Sequence, residues 1–373
     1  MRLQLVHILT ASVLCLPAGW AEAQEDDAHS TEARLRIYTD DDHVTVVSPS
    51  VAASFDAGKK VQVDIASTVD VVSAASVDVI TQASPAEVHE LRVEGEAAVN
   101  WALSSTVQLR TGGIVSHESD YDSLRPTLAA RAEVAQRNAT IDVSYTAAFD
   151  KIGKAMQEDF AKKRRGHIVA AAYTQVLDAK TYLDTLVDIR RLNGFHANPY
   201  RLVPIVSALS TAIMQVDEQT PAIRQSVAGL LGIRRAIASD WFLHASLRLY
   251  EDDWSVGSQT ISALLLRSLA DGRYLVGWRM RGYAQSAAEF YRPYYEIAGD
   301  EAVPEFRTRD RALGTMRSFH GSLTIDAALS SDPSSDAWRL RSMVSATHFS
   351  FLDFPAQRRR NALILGLSLL APL

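Results

Sequence analysis

Residues 241–250 read Trp241-Phe242-Leu243-His244-Ala245-Ser246-Leu247-Arg248-Leu249-Tyr250, with apolar residues at every odd position. Residues 274–283 repeat this alternation with the parity exchanged, so that Trp278 and Met280 share one face and Arg279 and Arg281 the other. A two-residue period with one apolar face predicts a β-strand that separates two different environments. Arginines spaced by two on the second face are typical of a sheet with lipid outside and water and charge inside. The pattern therefore predicts a transmembrane β-barrel.

The first 23 residues have the features of a secretory signal peptide. Arg2 precedes an apolar stretch at residues 5–16, and Ala21-Glu22-Ala23 is a small-x-small cleavage site. We therefore expect three parts: a signal peptide at 1–23, a short periplasmic segment at 24–32, and an outer-membrane barrel at 33–373. Cys15, the only cysteine, falls in the signal peptide. This placement excludes disulfides, thiol catalysis and zinc–thiolate or iron–sulfur sites from the mature chain.

The composition and the motifs limit the classes of function that this chain can have. The formal net charge of −6 argues against a nucleic-acid partner. No run of about 18 apolar residues follows the signal, so we expect an exported barrel and no transmembrane helix. The sequence has no Gly-x-Ser-x-Gly, no phosphate-binding glycine loop and no His-Glu-x-x-His, and we expect neither an enzyme nor a cofactor.

The strand count and the rhythm of the connections both favour an up-and-down antiparallel barrel. The alternating segments number about 16, with 14 to 16 accommodated by the length of the chain. Short connections at 56–60, 104–105, 136–138, 178–180, 236–239 and 270–273 alternate with longer acidic or aromatic loops. Barrels of the outer membrane have short periplasmic turns and long outer loops. One long connection, 193–221, stays ambiguous, because residues 203–216 suit an extra strand pair, a plug helix or a folded loop.

Several longer motifs carry a family resemblance. Residues 250–254 (Tyr-Glu-Asp-Asp-Trp), 283–291 (Tyr-Ala-Gln-Ser-Ala-Ala-Glu-Phe-Tyr) and 194–201 (Gly-Phe-His-Ala-Asn-Pro-Tyr-Arg) resemble the DUF3570 family, as do 38–46 and 69–79. The resemblance spans nearly all of the mature chain. It implies an outer-membrane barrel of unknown role. We accordingly expect outer-membrane lipid and the barrel assembly machinery as partners, with periplasmic partner proteins left open.

Charged residues on the polar face of the predicted strands are the candidate lumen-lining set. They are Arg110, Glu94, Glu96, Asp184, Asp188, Arg248, Arg279, Arg281, Arg339 and Arg341. Such residues either select solutes in an open pore or neutralise one another in a poorly hydrated interior. Because both signs occur in similar numbers, we favour mutual neutralisation.

Acidic residues cluster in two predicted loops, at Asp40-Asp41-Asp42 and at Glu251-Asp252-Asp253. Carboxylates are suitable ligands for divalent cations, but no spacing here matches a calcium loop. Solvated loop charge is the favoured interpretation, and we predict no specific metal site.

Two functions remain open for such a barrel. The first is a channel or conduit for small solutes. The second is a non-conducting structural barrel that binds partners or ligands through its loops. A surplus of unpaired lumenal charge favours the first, and a plugged lumen with paired arginines favours the second.

Overall fold

A computed structural model describes residues 30–74, 88–155, 157–207, 213–298, 302–330 and 338–372. Sixteen strands in these ranges form one closed antiparallel barrel, because β1 pairs with both β2 and β19. The predicted all-β barrel and its count of about 16 strands are therefore confirmed. The predicted signal peptide lies outside the described residues and stays a prediction.

The barrel strands follow the chain around the ring and share a length of 11 to 17 residues. Their bounds are β1 Ser30–Asp40, β2 Val44–Asp56, β3 Val61–Ala74, β4 Val88–Ala102, β5 Val107–His117, β6 Tyr121–Val134, β7 Ala139–Ile152, β8 Lys162–Asp178, β9 Thr181–Gly194, β12 Ile223–Ala236, β13 Trp241–Asp252, β14 Gly257–Leu269, β15 Tyr274–Gln285, β17 Met316–Ala328, β18 Arg339–Phe351 and β19 Arg359–Pro372. Because β1 begins at Ser30, the last three residues of the predicted segment 24–32 belong to the barrel.

The two faces of the closed sheet differ in polarity. On β4, Leu91 and Val93 are 56% and 42% exposed, whereas the alternating Glu90 and Arg92 are buried. The same division recurs around the ring, with large apolar side chains exposed on one face. A closed barrel has only an outside and an inside, and an apolar outside with a polar inside is the arrangement that a bilayer requires.

The connections differ at the two ends of the barrel. The turn end carries the first and last described barrel residues and short connections such as 103–106, 135–138 and 270–273. Two of these turns are held by consecutive left-handed residues, Ala135 to Arg137 and Ala270 to Gly272. The loop end carries the two longest connections, 195–222 and 286–315. The two longest connections thus lie at one end, as predicted, but the alternation is incomplete. Connections 41–43, 118–120 and 253–256 at the loop end are as short as the turns, and 329–338 at the turn end is long.

The two longest loops together form a second, small sheet. Its strands are β10 Leu202–Ser207, β11 Ile213–Asp217 and β16 Tyr295–Ile297, in the order β11-β10-β16. Val203 and Ile205 are fully buried against Tyr295. Of the three alternatives for residues 203–216, the strand pair is correct. In the part of the chain described, no helix is long and apolar enough to cross a membrane.

Candidate functional site: the charged lumen

The candidate lumen residues all lie on the inner face. Arg110, Glu94, Glu96, Asp184, Asp188, Arg248, Arg279, Arg281, Arg339 and Arg341 each alternate with outward apolar neighbours. Their lining role stays a prediction, because facing inward does not by itself establish contact with a solute. What the geometry adds is the partner of each charge.

On β3 to β5, carboxylates outnumber arginines. Arg110 is buried and contacts Asp64, the Asn100 Oδ1 atom at 3.0 Å and the Glu96 Oε1 atom at 3.4 Å. Asp70, Glu90 and Glu94 belong to the same inner face, where the only further arginine in the described part of β3–β5 is Arg92.

Arg92 lies nearer the loop end, eight residues along β4 from Asn100, the cross-strand partner of Arg110. It donates to the Ser116 hydroxyl at 2.9 Å and pairs with Glu94 and, at 3.5 Å, with Asp70. Arg92 and Asp70 are not among the charges that the sequence singled out. Their parity on β3 and β4 was the signal that places them in the lumen.

Further around the ring, arginines are paired across strands. Asp188 contacts Arg190 at 2.7 Å and Arg248 at 3.5 Å, so one carboxylate serves two cations. Asp326 likewise receives Arg339 at 2.5 Å and Arg341 at 2.9 Å. Asp184 pairs with Arg234 of β12 at 2.5 Å. Most of the lumen therefore shows the mutual neutralisation that the sequence favoured.

Arg279 and Arg281 differ from these pairs. In the described ranges, neither forms an ion pair with a carboxylate. Their cross-strand neighbours are Leu264 and Ser322 for Arg279, and Ser262 and His320 for Arg281. The Arg281 guanidinium lies over the Tyr283 ring, at 5.7 Å from the centroid. Arg279 is exposed although it faces inward. Solvent therefore reaches the interior at this height, midway along β15.

The strand order places these arginines across the barrel from the carboxylates. We call Arg248, Arg279 and Arg281 the arginine wall, and Asp64, Asp70, Glu94 and Glu96 the carboxylate wall. β14, at the centre of the first, is eight strands from β4 in a ring of sixteen. The two walls are therefore diametrically opposed, and the lumen has a transverse charge separation.

The two acidic loop clusters, at 40–42 and 251–253, each contain a turn with the same hydrogen bonds. Asp40 Oδ1 accepts from the backbone N–H of Asp42 and Val44, at 3.1 and 3.0 Å. Asp252 Oδ1 accepts from Trp254 and Val256, at 3.0 and 2.9 Å.

In both turns a tyrosine two residues earlier donates its hydroxyl to the other carboxylate oxygen. Tyr38 donates to Asp40 at 2.7 Å and Tyr250 donates to Asp252 at 2.8 Å. We call this arrangement the Tyr-x-Asp turn. The shared signal in the sequence is a tyrosine two residues before an aspartate, at residues 38–44 and 250–256.

The other acidic loop residues also have protein partners. Asp42 pairs with Arg311 of the long loop 286–315. Asp41 accepts from the Asn361 side chain at 2.8 Å, and Asp253 accepts from the Gln225 N–H at 2.9 Å. Glu251 is exposed on the outer face. The contacts of Asp41, Asp42 and Asp253 thus connect neighbouring segments at the loop end.

A third cluster of acidic residues forms only in the folded chain. Glu90, Glu118 and Asp120 offer carboxylate oxygens within 4.8 Å of one another. Burial of Glu118, reinforced by the neighbouring Glu90 charge, raises the pKa of the Glu118 carboxyl to about 7. The proximity of Arg92, 3.7 Å away, only partly offsets this effect.

His196 lies in the long connection 195–222 at the loop end. His196 packs edge-on against the Trp254 ring, with 5.4 Å between centroids. Burial, together with the charges of Arg164 and Arg224, lowers the pKa of His196 to about 4. The ring is therefore uncharged at neutral pH and acts as a packing element.

Comparison with known families identifies the chain. The family model "Protein of unknown function (DUF3570)" matches residues 76–341. The chain belongs to the DUF3570 family. The resemblance in the residues of the loop motifs is therefore confirmed. No curated protein matches the sequence.

Solved structures with a similar fold are bacterial outer-membrane proteins. A bacterial polysaccharide outer membrane secretin is 8% identical, with 92% of this chain and 98% of that one covered and a TM-score of 0.51. OccK11 (OpdR) of Pseudomonas aeruginosa is 10% identical, covers 96% and 100%, and has a TM-score of 0.46. The siderophore receptor PirA of P. aeruginosa is 9% identical with a TM-score of 0.46; the match covers 87% of this chain and 57% of the receptor. At such identities the likeness shows the fold alone, that of an outer-membrane β-barrel.

Proposed function

We propose that this DUF3570 barrel is a passive outer-membrane channel for small polar solutes, with a preference for anions. The observation that carries the proposal lies in the arginine wall: Arg279 and Arg281 face the lumen, and no carboxylate of the described residues pairs with them. An unpaired buried cation costs several kcal/mol, whereas one in contact with water does not. Two such arginines in the middle of a strand therefore favour a hydrated bore.

The opposed walls give the channel its expected selectivity. Lumenal side-chain charges at a constriction select permeating ions by sign. A small anion would follow Arg279 and Arg281, and the hydroxyls of Ser262 and Ser322 beside them can donate hydrogen bonds to it. A zwitterion would be oriented between the two walls.

The test is conductance of the purified full chain, refolded in detergent and inserted in planar bilayers. Heat-modifiable migration on a gel first checks that the barrel has formed. In a KCl gradient, the reversal potential of the native channel should show a preference for chloride. The variant Arg279→Gln/Arg281→Gln should shift the reversal potential toward cations.

The matched control changes two arginines of the outer face. Arg317→Gln/Arg359→Gln removes the same charge from exposed positions of opposite parity, and it should leave the reversal potential unchanged. An equal shift in both variants would assign the selectivity to surface charge and contradict the proposal. Full solubility without detergent and without a heat shift would overturn the membrane location itself.

A second candidate function is a non-conducting scaffold. It is favoured by the small sheet of the loop end, on which Ile213 and Met214 of β11 are 65% and 47% exposed. It is also favoured by the many paired arginines elsewhere in the lumen. Heat-modifiable migration without single-channel steps would support this candidate over the channel.

A further inference from the structure

The outer face of β7 to β9 carries a group of basic side chains at the loop end. Lys163, Arg165 and His167 alternate along β8, Lys151 lies on β7 and Arg191 lies on β9, and all five are exposed. The intervening residues face the lumen, where Arg164 pairs with Asp150 at 2.7 Å. We call these five residues the outer basic patch.

The register brings two like charges side by side, because Lys151 is the cross-strand partner of Lys163. Arg191 lies opposite the imidazole of His167. Like charges directly opposite each other destabilise a sheet. Across three strands and the length of four residues, the patch measures about 10 by 13 Å. Such a concentration of one sign is favourable only when an anion lies against it.

No carboxylate of the described residues neutralises the patch. Lys151, Lys163, Arg165 and Arg191 take part in no ion pair there. The nearest acidic partner in the register is Asp122, opposite Lys151. The Asp122 carboxylate instead contacts the His117 Nδ1 atom at 2.6 Å. The described residues therefore supply no carboxylate that pairs with the patch, which leaves its basic groups available to an external anion.

The patch borders directly on the apolar belt. Val169 of β8 and Val187 and Ile189 of β9 are 46%, 49% and 56% exposed, immediately beyond His167 and Arg191. The Tyr145 hydroxyl hydrogen bonds the His167 Nδ1 atom at 2.7 Å, so an aromatic side chain marks the boundary. Aromatic side chains of this kind lie at the headgroup level, where lysine and arginine cost little.

We propose that the outer basic patch binds the phosphate groups of an acylated, phosphorylated glycolipid in the outer leaflet. The phosphates would contact Lys163, Arg165 and Arg191, with arginine able to form bidentate bonds to each phosphate. The acyl chains would lie along Val169, Val187 and Ile189. This inference rests on the loop end facing the cell exterior, as in the proposed location, but it does not require that the barrel conducts.

The test measures binding of bis-phosphorylated lipid A to the detergent-solubilised full chain by native mass spectrometry. The native protein should bind bis-phosphorylated lipid A at least tenfold more strongly than it binds dephosphorylated lipid A. Arg165→Glu/Arg191→Glu should reduce lipid A binding at least tenfold. Lys59→Glu/Lys60→Glu, the same charge change at the turn end, should have no effect.

A replacement variant and a competition with inorganic phosphate complete the test. If the double glutamate variant lacks heat-modifiable migration, Lys163→Gln/Arg165→Gln replaces it, with a loss of at least threefold expected. Inorganic phosphate at the same concentration should not displace lipid A, and displacement would identify a free-anion site and overturn the lipid assignment. Equal binding of the phosphorylated and dephosphorylated lipids, or unchanged binding by both patch variants, would also overturn the proposal.

Discussion

The ionisation of the Glu118 carboxyl, at the loop end, depends on its burial and on the charges around it. Its carboxyl is largely buried and lies close to Glu90 and Asp120. Both conditions disfavour the ionised form, and the Arg92 guanidinium compensates only in part. Because the folded pKa of about 7 lies above the ordinary glutamate pKa of 4.5, the folded state binds more protons between these two pH values. The free energy of unfolding therefore falls as pH rises through this window.

Glu118→Gln tests this residue-scale effect. Glutamine imitates the protonated carboxyl, so the variant should equal the native protein at pH 4 and exceed its unfolding free energy at pH 8. The expected gain is on the order of 3 kcal/mol, from a shift of about 2.5 pKa units at about 1.4 kcal/mol per unit. Urea unfolding of the refolded barrel at both pH values provides the measurement. An equal effect of the substitution at pH 4 and pH 8 would contradict the assigned pKa.

At the scale of elements, the Tyr-x-Asp turn joins two different hairpins in the same way. It connects β1 to β2 around Asp40 and β13 to β14 around Asp252. Each turn also places its left-handed residue, His43 or Ser255, at the same position. In the second turn, Arg224 of the preceding strand β12 binds Asp252 at 2.6 Å and lies over the Trp254 ring at 4.4 Å. Two backbone donors, a hydroxyl and a guanidinium thus converge on one buried carboxylate.

Asp252→Ala should therefore be strongly destabilising. It leaves Arg224 and two backbone N–H groups without their acceptor, and breaking a buried ion pair costs about 3 to 5 kcal/mol. The measurement is again the free energy of unfolding in urea. Glu251→Gln is the matched control, since Glu251 is exposed on the outer face, and it should change stability by less than about 0.5 kcal/mol. A cost of under 1 kcal/mol for Asp252→Ala would show that the turn forms without its central carboxylate.

At the scale of the whole molecule, the transverse charge separation comes from closure of the ring. The carboxylate wall belongs to β3 and β4 and the arginine wall to β13 and β15, which are about 180 residues apart in the sequence. In the proposed channel, the field between the two walls would act on a permeating solute from both sides.

Removing charge from the carboxylate wall should strengthen anion selectivity. Glu94→Gln/Glu96→Gln leaves Arg92 and Arg110 with fewer counter-charges, so the net lumenal charge becomes more positive. The reversal potential in a salt gradient should move further toward that of chloride, in the direction opposite to the effect of Arg279→Gln/Arg281→Gln. A shift of both variants in the same direction would exclude opposed walls as the source of selectivity.

Local periodicity predicted a large part of this protein. Side chains of a strand alternate whatever the strand pairs with, so the parity of Arg248, Arg279 and Arg281 was readable from their own neighbours. The short turns were readable for the same reason, because their lengths and turn residues are local properties. What parity could not provide was the partner of each charge. Asp188 meets Arg248, 60 residues later, because β9 and β13 both flank β12.

The sequence by itself determined that the chain forms a barrel, about how many strands it has, and which side chains face inward. The tertiary structure alone decided that Arg279 and Arg281 meet no carboxylate of the described ranges and that two walls of opposite charge face each other. It also decided that β10 pairs with β16 from a loop some 90 residues away. The physical reason is that alternation depends on backbone geometry within one strand. Pairing, opposition and loop docking depend on register and ring closure, which bring together residues that are far apart in the chain.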